Sequence, residues 1–223
     1  MLNKVKGKLI VSCQALADEP LHSSFIMGRM AKAAKEGGAI AIRAQGIDDI
    51  IEIKRVTNLP VIGIIKENYK DSDIYITPTK KEIDALLSTS CEMIALDATK
   101  RQRPNKESLK ELIDYIHENK VLVMADISTY DEAIEAANLG ADCVSTTLSG
   151  YTNYSRQEQG PDLELIESLS KDLNIPVIGE GKINTPEDLK MAFEKGAYSC
   201  VVGGAITRPQ QITKRFTDAI QDL

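Results

Sequence analysis

The sequence predicts an α/β fold, a single (β/α)8 TIM barrel over residues 1–223, on three observations. Short, wholly apolar runs of strand length alternate strictly with amphipathic runs of helix length, eight of each. Strands buried on both faces of a parallel sheet read as continuous apolar runs, and eight such units favour a closed barrel over an open sheet. The chain also echoes itself: Asn58-Leu-Pro-Val-Ile-Gly63 returns as Asn174-Ile-Pro-Val-Ile-Gly179, on strands three and seven. In a ring of eight those strands face each other, as an internally repeated fold would place them. Finally, Gly-Ala precedes or opens strands two, six and eight (Gly38-Ala39, Gly140-Ala141, Gly196-Ala197), and no linker or composition break divides the chain.

The elements follow in order. Leu9–Cys13 is strand one, with Gln14 after it. Ser23 or Ser24 caps a helix carrying Phe25, Met30 and Ala34, and Gly37-Gly38 stops it. Strand two is Ala39–Ile42, ending in Arg43; Ile47, Ile50, Ile51 and Val56 mark the next helix. Strand three is Val61–Ile65, ending in Lys66, and a polar segment with two tyrosines runs from Glu67 to Pro78. Thr79-x-x-Glu82 is a capping box before Ile83 and Leu86. Strand four, Met93–Leu96, is followed by Asp97, and Pro104 starts a helix with Leu109, Leu112, Ile113 and Ile116 at helical spacing. Strand five, Val121–Ala125, ends in Asp126, and Thr129-x-x-Glu132 opens the helix that stops at Gly140. Strand six, Asp142–Ser145, leads into a long polar loop, 146–160, with the length of a lid. A helix with Leu163, Ile166 and Leu169 follows; strand seven, Pro176–Gly179, delivers Glu180-Gly181-Lys182. Thr185-Pro186-Glu187 starts the next helix, Ser199–Val202 is strand eight before Gly203-Gly204, and Ile212, Phe216 and Ile220 mark the last helix for core or interface.

Composition narrows the function. A net charge of -6 argues against a nucleic-acid partner, which calls for a basic face. No apolar run reaches the roughly 20 residues of a membrane span. The N-terminus lacks the apolar h-region of a signal peptide, so the cytoplasm is the expected location. The four cysteines have no C-x-x-C spacing and read as small buried hydrophobes, and only two histidines exist, so no metal is expected.

In such barrels the active site lies at the C-terminal ends of the strands. The residues there are Gln14, Arg43, Lys66, Asp97, Asp126, Thr146-Thr147, Glu180 and Gly203, a polar ring over an apolar core. Glycines after strands seven and eight (Gly181, Gly203, Gly204) leave backbone amides free to approach a phosphate, and Arg208 is placed to add a bidentate contact. Otherwise the glycines punctuate turns and Arg208 caps the last helix. Lys66 and Glu180 read as a proton-transfer pair on opposite rims, or as a structural ion pair. As a base Lys66 must be neutral, which for an ordinary lysine at pH 7 costs about 4.6 kcal/mol; burial and a nearby cation such as Arg43 reduce that cost. Two such groups across one pocket suit inversion of a stereocentre. A Schiff-base lyase using Lys66, and a barrel that binds a phosphosugar without turnover, are the competing readings.

Together, Ser12-Cys-Gln-Ala-Leu, Ala41-Ile-Arg-Ala, Val61-Ile-Gly-Ile-Ile-Lys66, Met124-Ala-Asp126, Thr146-Thr-Leu-Ser-Gly-Tyr-Thr152 and Ile178-Gly-Glu-Gly-Lys182 resemble the N-acylglucosamine-6-phosphate 2-epimerase family. The resemblance covers nearly the whole chain. It implies an isomerase that converts N-acetylmannosamine 6-phosphate to N-acetylglucosamine 6-phosphate in bacterial sialic acid breakdown. It further implies that Lys66 and Glu180 are catalytic, that Gln14, Arg43, Asp126 and Arg208 bind sugar or phosphate with Gly181, Lys182, Gly203 and Gly204 at the same site, that no metal or nucleotide cofactor is needed, and that the enzyme is a homodimer. Barrels that make thiazole or thiamine phosphates share the glycine loops but leave Gln14, Arg43 and Lys66 unexplained.

Overall fold

The computed structural model describes residues 1–221 and shows one closed barrel of eight parallel strands. They are β1 (Leu9–Cys13), β2 (Ala41–Gln45), β3 (Val61–Ile64), β4 (Met93–Asp97), β5 (Leu122–Asp126), β6 (Cys143–Ser145), β7 (Val177–Glu180) and β8 (Ser199–Val202). Strand order follows chain order, and β1 closes on β8 through Leu9↔Cys200 to Val11↔Val202. The repeated Pro-Val-Ile-Gly segments therefore stand on opposite walls. Their glycines serve packing: a Cβ on Gly63 would lie 3.0–3.1 Å from Leu86, Cys91 and Ile50, and one on Gly179 3.1 Å from the Cys200 sulfur.

Side chains alternate inward and outward along each strand. Ile10, Ala41, Ile62, Met93, Met124, Cys143, Ile178 and Val201 form the inner core, while Val11, Ile42, Val61, Ile94, Val123 and Val144 pack outward under the helices. Two residues further along, the same inward rows become Ser12, Arg43, Asp126, Ser145 and Glu180, and on β4 Asp97 follows Ala95. The polar ring is thus the next layer of the barrel interior, stacked on an apolar one.

The helices are α1 (Leu2–Val5), α2 (Ser24–Glu36), α3 (Ile47–Thr57), α4 (Lys80–Leu87), α5 (Leu109–Glu118), α6 (Tyr130–Asn138), α7 (Leu163–Asp172), α8 (Pro186–Glu194), α9 (Gly204–Thr207) and α10 (Pro209–Asp218). Both expected capping boxes form, at Thr79/Glu82 and Thr129/Glu132, and a third forms at Thr185/Asp188. The Gly-Ala echo is a helix stop used three times. Gly38, Gly140 and Gly196 take φ of 102°, 104° and 96°, and the next N–H returns to a carbonyl five residues back (Ala39 to Ala34, Ala141 to Ala136, Ala197 to Ala192). This is the Schellman arrangement, with glycine where a side chain is strained.

Several expectations change. Strand two starts at Ala41, because Ala39 is still committed to the end of α2; Arg43 is consequently a mid-strand, inward residue. Pro104 opens a 3-10 turn, and the helix itself begins at Leu109. His22, which the sequence puts in a helical stretch, lies in the turn before α2, with its ring 3.0 Å from the Ala15 carbonyl. Helix α1 was not legible in the sequence; Val5, with Met1 and Leu2, packs into the inner core at its N-terminal end. The polar segment after Lys66 is not a free loop: it returns antiparallel on the end of β3. Helix α10 buries none of its residues, so Phe216 and Ile220, 73% and 63% exposed, do not belong to the core. All four cysteines are free and buried, and burial pushes the Cys13 and Cys200 thiols up to about 12. Among the described residues no helix is long and apolar enough to cross a membrane.

Candidate active site

A cavity of about 360 Å³ opens at the C-terminal ends of the strands. Gln14, Arg43, Lys66, Glu180, Gly181, Lys182, Gly203, Gly204 and Arg208 all line it. Of the predicted binding residues only Asp126 does not; it is fully buried beneath, as the partner of Arg43. Asp97, the remaining acid of the ring, is turned to Thr99 and Arg101.

The floor is an ion network built by the inward register of β2, β5 and β7. Arg43, 1% exposed, donates through Nη1 to Asp126 Oδ1 at 3.0 Å and to Glu180 Oε2 at 2.6 Å, and its Nη2 completes the bidentate pair with Asp126. Thr147 Oγ1 stands 2.8 Å from Asp126 Oδ1 and 3.0 Å from Glu180 Oε2, and Ser145 Oγ lies 3.2 Å from the same Glu180 oxygen. One guanidinium thus serves two carboxylates. Burial, and then the Asp126 charge, push the Glu180 carboxyl above the usual range, against the pull of Arg43. Every hydrogen bond to this carboxyl falls on Oε2; among the described residues Oε1 takes none.

Lys66 sits two residues beyond β3, on the wall opposite Glu180. Among the described residues it makes no ion pair within 4 Å, so the structural Lys66–Glu180 pair does not form; Glu180 is bound to Arg43 instead. Burial, then the Arg208 and Arg43 cations, bring the Lys66 amine down to about 8, with Glu180 and Glu19 opposing. The cost of neutrality at pH 7 is thus well below that of an ordinary lysine, which brings the amine toward the range a general base needs.

The same cavity carries the glycines. Gly181 adopts φ 98° directly after β7, which a side chain would oppose, and Lys182 follows at φ 53°. Gly203 and Gly204 lie at the end of β8, where α9 begins. Arg208 borders the same space, but its Nε and Nη2 donate to Glu19 at 2.6 and 3.1 Å. Its bidentate edge is therefore held by Glu19, whose carboxyl it keeps below the usual range. Gln14 is tethered by Nε2 to Ser12 Oγ at 2.7 Å. Lys182 Nζ donates to the Glu158 carbonyl at 2.6 Å, so it fastens the 146–160 loop across the rim instead of pointing wholly inward. Tyr75, Tyr151 and Gln211 also line it. The sequence does not single out Glu19 and Gln211, which reach the site only by tertiary packing, or Tyr75, one of the two tyrosines of the polar segment 67–78.

The comparisons with known proteins speak to the whole chain. Residues 27–222 match the family model described as "Putative N-acetylmannosamine-6-phosphate epimerase". The chain belongs to this epimerase family. A family member from Clostridioides difficile, named "Putative N-acetylmannosamine-6-phosphate 2-epimerase", is 73% identical over 99% of both chains. A solved structure described as the N-acetylmannosamine-6-phosphate 2-epimerase from Clostridium perfringens superposes with a TM-score of 0.97 at 72% identity, covering 98% of this chain and 96% of that one. Outside the epimerase family, thiamine phosphate pyrophosphorylase from Pyrococcus furiosus shares the fold alone, with a TM-score of 0.63 at 19% identity. Among the described residues of this epimerase-family chain, no group of three or more His, Cys, Asp or Glu side chains is placed to hold a metal ion.

Proposed function

We propose that this epimerase-family protein converts N-acetylmannosamine 6-phosphate to N-acetylglucosamine 6-phosphate, as a step of sialic acid and amino sugar degradation in the cytoplasm, by deprotonation and reprotonation at C2. One observation carries the reading: an unpaired lysine with a lowered pKa and a carboxyl with a raised one face one cavity from opposite strands. In the open-chain sugar the C2 proton is alpha to the C1 aldehyde, so its removal leaves an enolate. Lys66 takes the proton, and the ammonium so formed lies against the developing oxyanion. Glu180, held by Oε2 with its Oε1 free of protein hydrogen bonds among the described residues, returns a proton to the other face from Oε1. Arg43 and Asp126 act through Glu180, fixing its position and its charge. The amides of Gly181, Gly203 and Gly204, with Arg208, hold the phosphate. That remote binding energy orients C2 between the two groups. Lys182 and Tyr151 hold the 146–160 loop over the rim, which excludes water.

Proton NMR in deuterated water, with no cofactor added, tests the reaction. N-acetylmannosamine 6-phosphate should give N-acetylglucosamine 6-phosphate deuterated at C2, and unphosphorylated N-acetylmannosamine should exchange at least about a hundredfold more slowly, because it lacks the remote anchor. No exchange with either sugar would discard the substrate assignment.

The same proposal includes a homodimer. Supporting it is α10, an amphipathic helix with Ile212 half-buried and Phe216 exposed, followed by the exposed Ile220. A second copy of the chain is the partner whose own α10 offers the same surface, as a two-fold contact requires. Sedimentation should report twice the 24.5 kDa chain mass, and Phe216→Glu should halve it; a wild-type monomer at micromolar concentration would end this part of the proposal.

A further inference from the structure

Lys66 does not stand on the barrel proper. β3 and β4 pair only through Ile62↔Met93 and Gly63↔Ile94, whereas β4 and β5 pair over five positions up to Asp97↔Asp126. Above Gly63 the two strands part, and the returning segment Tyr75–Thr77 fills the gap. On one side Lys66 bridges Ile76 antiparallel, and the Glu67 N–H donates to the Tyr75 carbonyl at 3.0 Å. On the other the Asp97 N–H donates to the Ile76 carbonyl at 3.0 Å.

Thr77 closes this insert. It is fully buried and its φ is 45°, a left-handed backbone that a β-branched residue adopts only under tertiary constraint. Its N–H donates to the Ile65 carbonyl at 2.7 Å, its Oγ1 donates to the Ala95 carbonyl at 2.7 Å, and the Ile65 N–H lies 3.3 Å from the same Oγ1. One residue therefore ties the peptide just before Lys66 to β4. We propose that Thr77 is a positioning residue for Lys66, its hydroxyl clamping the end of β3 to β4 so that the amine projects into the cavity. The inference rests on Lys66 as the proton-transfer group.

Thr77→Gly removes the hydroxyl while accepting the positive φ, so the backbone has no new strain. Thr77→Ser keeps the hydroxyl. The Lys66 amine is surrounded by Arg43 on β2, Glu180 on β7, Glu19 after β1 and Arg208 before α10, so its titration reports displacement directly. The expected result for Thr77→Gly is a folded protein with kcat lowered about 10–100-fold, KM changed less than threefold, and the rising limb of the kcat–pH profile moved to higher pH as the amine reaches water. Thr77→Ser should restore both rate and limb. A folded Thr77→Gly with wild-type kcat and limb overturns the inference, as does a Thr77→Ser that fails to restore them. If Thr77→Gly does not fold, Thr77→Val, isosteric with threonine and without the hydroxyl, takes its place with the same criteria. Lys66→Ala measured alongside separates the two claims: activity retained there removes the reading beneath, whereas activity lost there with an indifferent Thr77 removes only the clamp.

Discussion

Lys66→Ala should lose at least about a thousandfold in C2 exchange, within the range that a positioned general base supplies. Lys66→Arg is the sharper variant. It keeps a cation beside the phosphate end, yet a guanidinium does not deprotonate in a protein, so binding should persist while exchange fails. Near-normal exchange in either variant would sink the assignment. In the wild type kcat should rise with pH and level off above about 8, where the Lys66 amine is free. Borohydride added with substrate should trap nothing; a covalent adduct on Lys66 would favour the Schiff-base lyase instead. The same group has a stability signature. Its folded pKa lies below that of an unfolded lysine, so the folded state carries a penalty at pH 7 that fades as pH rises from about 8 through the ordinary lysine range. Lys66→Met should therefore be more stable than wild type at pH 7, by about 1–3 kcal/mol, and the gain should shrink above pH 10. Equilibrium urea unfolding at the two pH values measures it.

Arg43→Met should be the most damaging substitution to the fold. It removes the cation between two buried carboxylates and leaves both without their partner. Breaking a buried pair in this way typically costs about 3–5 kcal/mol, or about 10 °C in melting temperature for a chain of this size. Without Arg43 the Glu180 carboxyl, already raised by burial, loses the charge that pulls it down and rises further above its unfolded value. Its contribution is then favourable at low pH and lost as pH rises through the folded value. The deficit against wild type should accordingly be largest at pH 7.5 and narrow at pH 5. Calorimetry at both pH values would show it; a melting temperature within 2 °C of wild type at pH 7.5 would contradict the network as described. Activity should fall too, since Glu180 loses the group that holds its Oε2.

Much of this molecule is written locally. Apolar runs of strand length, capping boxes at Thr79 and Thr129, and glycines at three helix stops act through neighbours within five residues, so pattern reading finds them. Position at a strand end was enough to select Arg43, Lys66, Glu180 and Gly203, because a barrel aims every such position at one pocket. Where sequence and structure differ, the cause is shared. Ala39 is apolar whether it ends a helix or starts a strand, so pattern alone starts strand two at Ala39 where the structure starts it at Ala41. The apolar residues of the last helix have a spacing that suits core and interface alike.

Tertiary structure decided the rest. Glu19 grips Arg208 from 189 positions away, and Asp126 and Glu180 meet Arg43 from 83 and 137 away. Which carboxylate a cation takes depends on distances across the barrel, and no local pattern encodes those. The sequence favours Lys66 and Glu180 as a proton-transfer pair and leaves a structural ion pair as the alternative. Closure of the barrel gives Glu180 to Arg43 and buries Lys66 near two cations, and burial with like charge lowers a lysine's pKa. The chain alone determined the fold, the rim and the residue types on it; the packed structure determined which of those charges are matched, and therefore which are left to react.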